Sequence, residues 1–389
     1  MLSFENTEIA FKSKSTPDLK RAYWLFKIVS SPIIVKIGKV ATNFALSLRL
    51  PIRKIVKATI FKQFCGGESI EDCRNKMEEL ATFKVGTILD YSIEGKTTDE
   101  DFEQTVEIII QTIQEGRNNK NIPFAVFKVT GIGSINLLEM ASDENCILNE
   151  SQILELEGMK NRIDRICAAA HSAMIPVFID AEESWIQAII DTWALEMMLK
   201  YNLEKAIVYN TLQMYRHDRL AFLTSCSENA KKHGIKYGIK LVRGAYMEKE
   251  RARAQKLGYP SPIYPDKNAS DDAYNTALKF ILEHEMLFAL CAGTHNEESS
   301  LLLTQELERK QISRDNDKFY FAQLLGMSDH ISFNLSNAGF KVAKYVPFGP
   351  VKEVIPYLLR RADENTSVAG QTGRELSLII KELDRRKKN

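Results

Sequence analysis

Arg360 and Arg361 stand side by side in the stretch PYLLRRADENTS, behind Tyr357 and ahead of Glu364. Two planar guanidinium forks offer paired donors to a carboxylate, a geometry that lysine does not match. The other residues able to do chemistry sit where short β-rich runs end: Lys128, Asp180 with Glu182 and Glu183, Gln213 with Tyr215, Lys240 with Arg243 and Tyr246, Thr294 to Asn296, Gln323 and Tyr345. One polar residue at the end of a run is expected by chance, but so many ends carrying them form a constellation. The arginines have a plainer reading. Glu364 lies four residues from Arg360 and three from Arg361, so the three could form a surface ion-pair trio worth about 0.5 kcal/mol.

The elements that would position these groups are legible as an alternation. VGTILDYSI (85–93), PFAVFKVTG (123–131), IPVFIDA (175–181), KAIVYNTLQ (205–213), YGIKLVRGAY (237–246), LFALCAGTH (287–295), KFYFAQLLG (318–326) and KVAKYVPFG (341–349) read as strands. Stretches such as DFEQTVEIIIQTIQEG and SWIQAIIDTWALEMMLK, with apolar residues at three-four spacing, read as the helices between them. Near-continuous apolar strands separated by helices indicate a parallel sheet covered on both faces. Eight repeats are the count that closes an α/β (βα)8 barrel, whose site forms at the carboxyl ends of the strands; an open doubly wound sheet is the alternative. Residues 1–83 read as a basic N-terminal helical arm and 84–389 as the barrel domain.

On a helical wheel, residues 350–366 place Val351, Val354, Ile355, Leu358, Leu359 and Ala362 on one stripe, with Tyr357, Arg360, Arg361 and Glu364 opposite. A helix of the barrel wall turns its stripe to the strands, which would send both arginines into solvent. They reach a site at the strand ends only if this last helix is displaced over the barrel mouth and something else covers its stripe. Pro350 suits a helix start, and Pro356 removes a backbone bond inside it.

Hydrophobic residues make up 44% of the 389, and the formal net charge is +1. A core of ordinary size follows, and a nucleic-acid binder, which would carry a basic domain or stripe, is not indicated. The six cysteines show no metal-ligand spacing and read as reduced thiols, with no metal site expected. The opening MLSFENTEIAF resembles neither a secretory signal nor an acid-poor presequence, so a cytoplasmic, bacterial-type protein is the simpler reading. Between Leu19 and Gly67 lie ten Lys or Arg and no acid, interleaved with apolar residues. No run there is long enough to span a bilayer, but the stretch suits an anionic membrane surface, or equally a helical arm packed on the main domain.

Four features have plainer alternatives. Asp180 in FIDAEES could cap a helix, and His295 in GTHNEESS could belong to a capping loop with Thr294 or Asn296 as cap. GIGSIN (131–136) imitates a dinucleotide loop but has Asn136 where the third glycine belongs. DKNASDD (266–272) lacks the glycine and the terminal glutamate of a calcium loop.

The segments FIDAEES, LVRGAYMEKERARA, GTHNEES, QLLGMSDHISF and YVPFGPVKEVIPYLLRRADENTS resemble the proline dehydrogenase family in its monofunctional, eukaryotic-like form, over roughly residues 60 to 385. The resemblance implies a distorted barrel with noncovalently bound FAD, oxidation of L-proline to Δ1-pyrroline-5-carboxylate, and reoxidation by a membrane quinone. It implies that Arg360 and Arg361 hold the substrate carboxylate, with Lys128, Leu325, Tyr345 and Tyr357 around the ring. Asp180 corresponds to the family's active-site aspartate, and Lys240 joins it as a catalytic candidate. Cofactor contacts are implied for Ala181, Gln213, Lys240, Arg243, Gly244, Ala245, Thr294 and His295. Many members carry arginine where this chain has Lys240, so a bidentate contact becomes a point charge. Tyr345 stands where the hydroxyproline-preferring branch tends to have a small residue, which favours proline. The expected partners are a membrane surface, on the reading of residues 19–67 above, and a separate pyrroline-5-carboxylate dehydrogenase. The implied location is the bacterial inner membrane, reached from the cytoplasm, or the mitochondrial inner membrane in a eukaryote. A hydroxyproline dehydrogenase of the same family and a nicotinamide-dependent dehydrogenase are the alternatives.

Overall fold

The computed structural model describes residues 2–31, 53–93, 95, 97–367 and 371–388. Eight strands close into a barrel in chain order: β1 (Val85–Tyr91), β2 (Phe124–Phe127), β3 (Val177–Ile179), β4 (Val208–Gln213), β5 (Tyr237–Val242), β6 (Phe288–Gly293), β7 (Phe319–Leu324) and β8 (Val342–Phe348). Each lies inside one of the eight apolar runs. The pairing is parallel, and its register sets Ile179 beside Asn210, Thr211 beside Lys240, and Lys240 beside Cys291. The open-sheet alternative is thereby excluded.

Among the described residues, β1 is preceded by α1 (Thr7–Ala10), α2 (Thr16–Val29), α3 (53–64, with a π-helical turn over Lys57–Phe61) and α4 (Arg74–Thr82). Between β1 and β4 run α5 (Asp99–Asn118), α6 (Ile135–Ser142), α7 (Glu150–Ala173) and α8 (Ser184–Tyr201). From β4 to β7 follow α9 (Arg219–His233), α10 (Met247–Leu257), α11 (Lys267–Glu283) and α12 (Glu297–Arg309). The chain ends with α13 (Asp329–Asn337), α14 (Val351–Ser367) and α15 (Gln371–Lys388). Caps fix several starts: Thr98 accepts from the Asp101 N–H, Asn149 and Gln152 form a capping box, and Asn296 accepts from Ser299.

Two compact units make up the chain. Gly95–Ala322 is one, and Met1–Glu94 with Gln323–Asn389 is the other. In the first, the Phe124 and Phe178 rings stack with centroids 4.4 Å apart, and Tyr209 meets both edge to face. In the second, the arm and the C-terminal helices share two cores.

The first of those cores answers the question raised by the arginine helix. The stripe of α14, through Val351, Val354 and Leu358, buries against Phe61 and Phe64 of α3 and against Met327. Burial of such side chains stabilises by about 1.5–3 kcal/mol each. The arm thus covers what a barrel-wall helix would have turned to the strands. Tyr357 departs from the wheel: it is buried in the same cluster, because α3 and Met327 together cover a wider face than the stripe alone.

The second core joins Leu19, Ala22 and Phe26 of α2 to Leu378 and Ile379 of α15. The opposite face of α2 exposes Lys20, Trp24, Lys27 and Ile28, with Trp24 59% accessible and the Lys27 ammonium 5.2 Å from its ring centroid. Among the described residues no helix is long and apolar enough to cross a membrane. Residues 32–52 of the basic stretch lie outside the described residues.

Candidate active site

β3 and β5 bring the first pair together. Asp180 follows the last residue of β3, and Lys240 lies two residues before the end of β5 with only 4% of its surface accessible. The Lys240 ammonium donates to the Asp180 carboxylate and lies 5.2 Å from the Phe178 ring centroid. Asp180 therefore serves as a charge partner, and the helix that follows starts from Glu183 instead. Little water reaches this pair, so removing one partner costs far more than at a surface.

A second cluster forms just past β5 and β6. Arg243 donates to the Thr294 hydroxyl at 2.9 Å and to the Ser299 hydroxyl at 2.8 Å. Its other terminal nitrogen lies 2.7 Å from Asp271, and its carbon 4.2 Å from the Tyr274 ring centroid. Burial pushes the Arg243 pKa down from its ordinary value, with the Tyr274 and Asp271 charges opposing. Gly244 has φ +95° and open space where a Cβ would stand, and it and Ala245 are exposed. His295 is half-buried in the loop after β6, and Asn296 takes the cap position there.

The third cluster centres on a residue to which no role was assigned, Glu182. Its carboxylate accepts from the backbone N–H of Thr130 at 3.0 Å and from the Thr130 hydroxyl. This holds the short 3₁₀ turn Val129–Gly131 that immediately follows Lys128. Its own backbone joins in: the N–H donates to Gln187 and the carbonyl accepts from Gln213, each at 2.8 Å. Ala181 is buried beside it. The signal in the sequence was present, since Glu182 ends the third run, but its partner lies 52 residues away.

Burial raises the Glu182 pKa to about 7, against the Thr130 hydrogen bonds and the Lys128 charge, which lower it. A carboxyl whose folded pKa is raised contributes stability that is complete below its unfolded value near 4.5 and is lost as pH rises through about 7. Glu182→Gln removes that dependence. The parent should lose on the order of 3 kcal/mol relative to the variant between these limits, read as the difference of their urea midpoints across pH.

In the other unit, Leu325 and Tyr345 are joined backbone to backbone: the Leu325 N–H donates to the Tyr345 carbonyl at 2.8 Å. Both are buried. Tyr357 lies in the core beneath α14, and the Arg361 guanidinium sits 5.1 Å from its ring centroid. Arg360 and Arg361 are half-buried. The Glu364 side chain lies outside the described residues.

The two remaining motifs fold as ordinary structure. In GIGSIN, Ser134 caps α6, and a Cβ on Gly133 would come within 2.2 Å of Met159, so close packing accounts for that glycine. In DKNASDD, Asp266 caps α11 by accepting from the Ala269 N–H.

The donor set fits a flavin dinucleotide. Gln213 at the end of β4 keeps its side-chain oxygen buried with no hydrogen-bond partner among the described residues, as suits an acceptor awaiting a ring N–H. Arg243, the Thr294 hydroxyl and the exposed backbone at Gly244 offer the charge and open approach that a pyrophosphate requires.

Fold and strand-end groups together define a (βα)8-barrel enzyme. The proline dehydrogenase family profile matches residues 73–374. "Proline dehydrogenase 1, mitochondrial" of Dictyostelium discoideum is 33% identical, over 98% of this chain and 74% of its own. The hydroxyproline dehydrogenase of Xenopus laevis is 29% identical, over 99% and 90%. Among solved structures, proline utilization A from Bdellovibrio bacteriovorus, inactivated by N-propargylglycine, superposes with a TM-score of 0.74 at 20% identity, over 93% of this chain. This chain spans 38% of that solved protein's length. The chain belongs to the proline dehydrogenase family, and is an oxidoreductase of that type.

Proposed function

We propose that the protein oxidises L-proline to Δ1-pyrroline-5-carboxylate, the first step of proline breakdown, using noncovalently bound FAD that a membrane quinone reoxidises. The observation that carries this reading is the family match over residues 73–374, which includes both the strand-end segments and the arginine pair. FAD, when bound, supplies the hydride acceptor. Gln213, Lys240, Arg243, Thr294 and His295, with the backbone at Ala181, Gly244 and Ala245, would hold it.

The chain's own residues bind and orient. Arg360 and Arg361 take the substrate carboxylate in bidentate fashion, while Leu325, Tyr345 and Tyr357 enclose the ring and exclude water. Lys128 adds a cation, held in place by the turn that Glu182 fixes. Asp180 keeps the Lys240 ammonium oriented at the strand ends, where a fixed positive charge favours the electron-rich form of the cofactor. The ring carbon next to nitrogen gives up a hydride and the amine a proton. With flavin-loaded protein, proline should drive reduction of a dye or of a soluble quinone; a loaded protein inert to proline would refute the assignment.

Hydroxyproline is the second reading, and the Xenopus laevis relative is the observation that favours it. The buried Tyr345 ring argues for proline, because it leaves less room for a hydroxyl on the substrate ring. The product is an electrophilic imine, to be taken up by a separate dehydrogenase.

The outer face of α2 supports peripheral membrane contact, at the bacterial inner membrane from the cytoplasm or at the mitochondrial inner membrane if the source is eukaryotic. Lys20 and Lys27 flank Trp24 and Ile28 there, a mixture suited to anionic headgroups above an apolar interface. Replacing Lys20 and Lys27 with glutamate should weaken co-sedimentation with anionic vesicles by roughly tenfold or more, at about 1 kcal/mol per charge removed. Undiminished binding would remove α2 from the contact.

A further inference from the structure

The turn joining β7 to α13, residues 324–328, carries Leu325 and is held by side chains from β8, α3 and α15. Lys344 on β8 is wholly inaccessible, and its ammonium donates to the Met327 carbonyl at 2.5 Å and the Leu324 carbonyl at 3.3 Å, one on each side of Leu325. The same ammonium lies 2.8 Å from Asp329, whose other oxygen is 3.1 Å from the Lys14 ammonium. Gln63 of α3 donates to the Gly326 carbonyl at 2.9 Å, and Glu375 of α15 accepts from the Ser328 N–H. Gly326 has φ +78°, and a Cβ there would stand 2.2 Å from the Gln63 carbonyl oxygen, so α3 lies directly on the turn.

A lysine taken completely out of water is costly unless its donors are used. Here they are used on one short loop, and the next residue along β8 is Tyr345, whose carbonyl receives the Leu325 N–H. One ammonium therefore sets the loop that bears Leu325 in register with the strand that bears Tyr345. Neutralising Asp329 does not require the ammonium's other two contacts, which go to the backbone carbonyls of Leu324 and Met327.

We propose that Lys344 is a positioning residue for substrate-ring selection, acting through the 324–328 turn to hold Leu325 against Tyr345. The inference rests on the reading that Leu325 and Tyr345 enclose the proline ring. A displacement of about 1 Å in such a wall costs up to a hundredfold in rate, and it should fall on recognition of the ring before it falls on the chemical step.

The test uses the flavin-loaded full chain, with L-proline and trans-4-hydroxy-L-proline as substrates. Lys344→Met should raise the proline KM about tenfold, change kcat less than about threefold, and move the proline to hydroxyproline ratio of kcat/KM by about tenfold. Lys344→Arg should restore most of the ratio. Gln63→Ala loosens the same turn at a less buried point and should shift the ratio about threefold in the same direction, which decides the matter if Lys344→Met does not fold. Lys14→Met removes the other cation from Asp329 without touching the turn; it should lower stability and leave the ratio alone. Leu325→Ala separates the two levels of the argument. If it moves the ratio while Lys344→Met, or Gln63→Ala in its place, leaves KM and ratio within about twofold, the positioning role is wrong. If Leu325→Ala also changes nothing, the ring-enclosing reading is wrong and the positioning role falls with it.

Discussion

Replacing Arg360 or Arg361 with methionine should cut kcat/KM for proline by about 2 to 5 kcal/mol, the usual cost of leaving one buried member of a charge pair without its partner. That is between roughly thirtyfold and a few thousandfold, and it should appear chiefly as a raised KM. The case for so large an effect begins with how α14 is packed. Val351, Val354 and Leu358 are buried against Phe61 and Phe64, so the helix has its apolar face satisfied by the arm. Arg361 lies over the Tyr357 ring, which is itself anchored in that core, and such stacking restricts a side chain with several rotatable bonds. Preorganised guanidinium groups lose little entropy on taking a carboxylate. Lysine at either position should recover only part of the loss, because it offers a point charge in place of a fork. Unchanged kinetics in both methionine variants would return the pair to the surface ion-pair reading.

The second large effect concerns the pair at β3 and β5. Asp180→Ala takes the carboxylate away from an ammonium that is almost wholly buried, and should cost about 3 kcal/mol of stability along with most of the activity. The double variant Asp180→Ala with Lys240→Met should be more stable than the sum of the single changes predicts, by about 1 to 3 kcal/mol, because it removes the stranded charge as well. Urea midpoints for the parent, both single variants and the double variant give this coupling directly. Strict additivity would mean that the two groups do not act as a pair.

The barrel was legible because a parallel sheet covered on both faces writes itself as apolar runs, and each of the eight contains its strand. The arginine helix was half legible. Its wheel required a cover other than the strands, and only the structure identifies α3, hundreds of residues earlier in the chain, as that cover. Tyr357 was misplaced for the same reason, since a wheel knows the period of a helix and nothing about how many neighbours surround it. Glu182 and Lys344 show the limit more sharply. Glu182 ends the third run and Lys344 sits inside the eighth with nothing to mark it, but what gives Glu182 its meaning is Thr130, and what gives Lys344 its meaning is the pair of carbonyls at 324 and 327. Contacts of that range leave no periodicity to read. The strand-end residues could be picked out as candidates because a (βα)8 barrel forms its site at the ends of its strands, whereas groups that brace a loop from behind obey no such rule.

The central claim, that the protein takes a hydride from proline onto a bound flavin, is tested most directly by the visible spectrum of the purified protein before and after anaerobic addition of L-proline. The account predicts a yellow protein whose oxidised flavin bands bleach with proline and return when a quinone is added. A colourless protein that cannot be loaded with FAD, or a yellow one whose spectrum proline leaves unchanged, would contradict it.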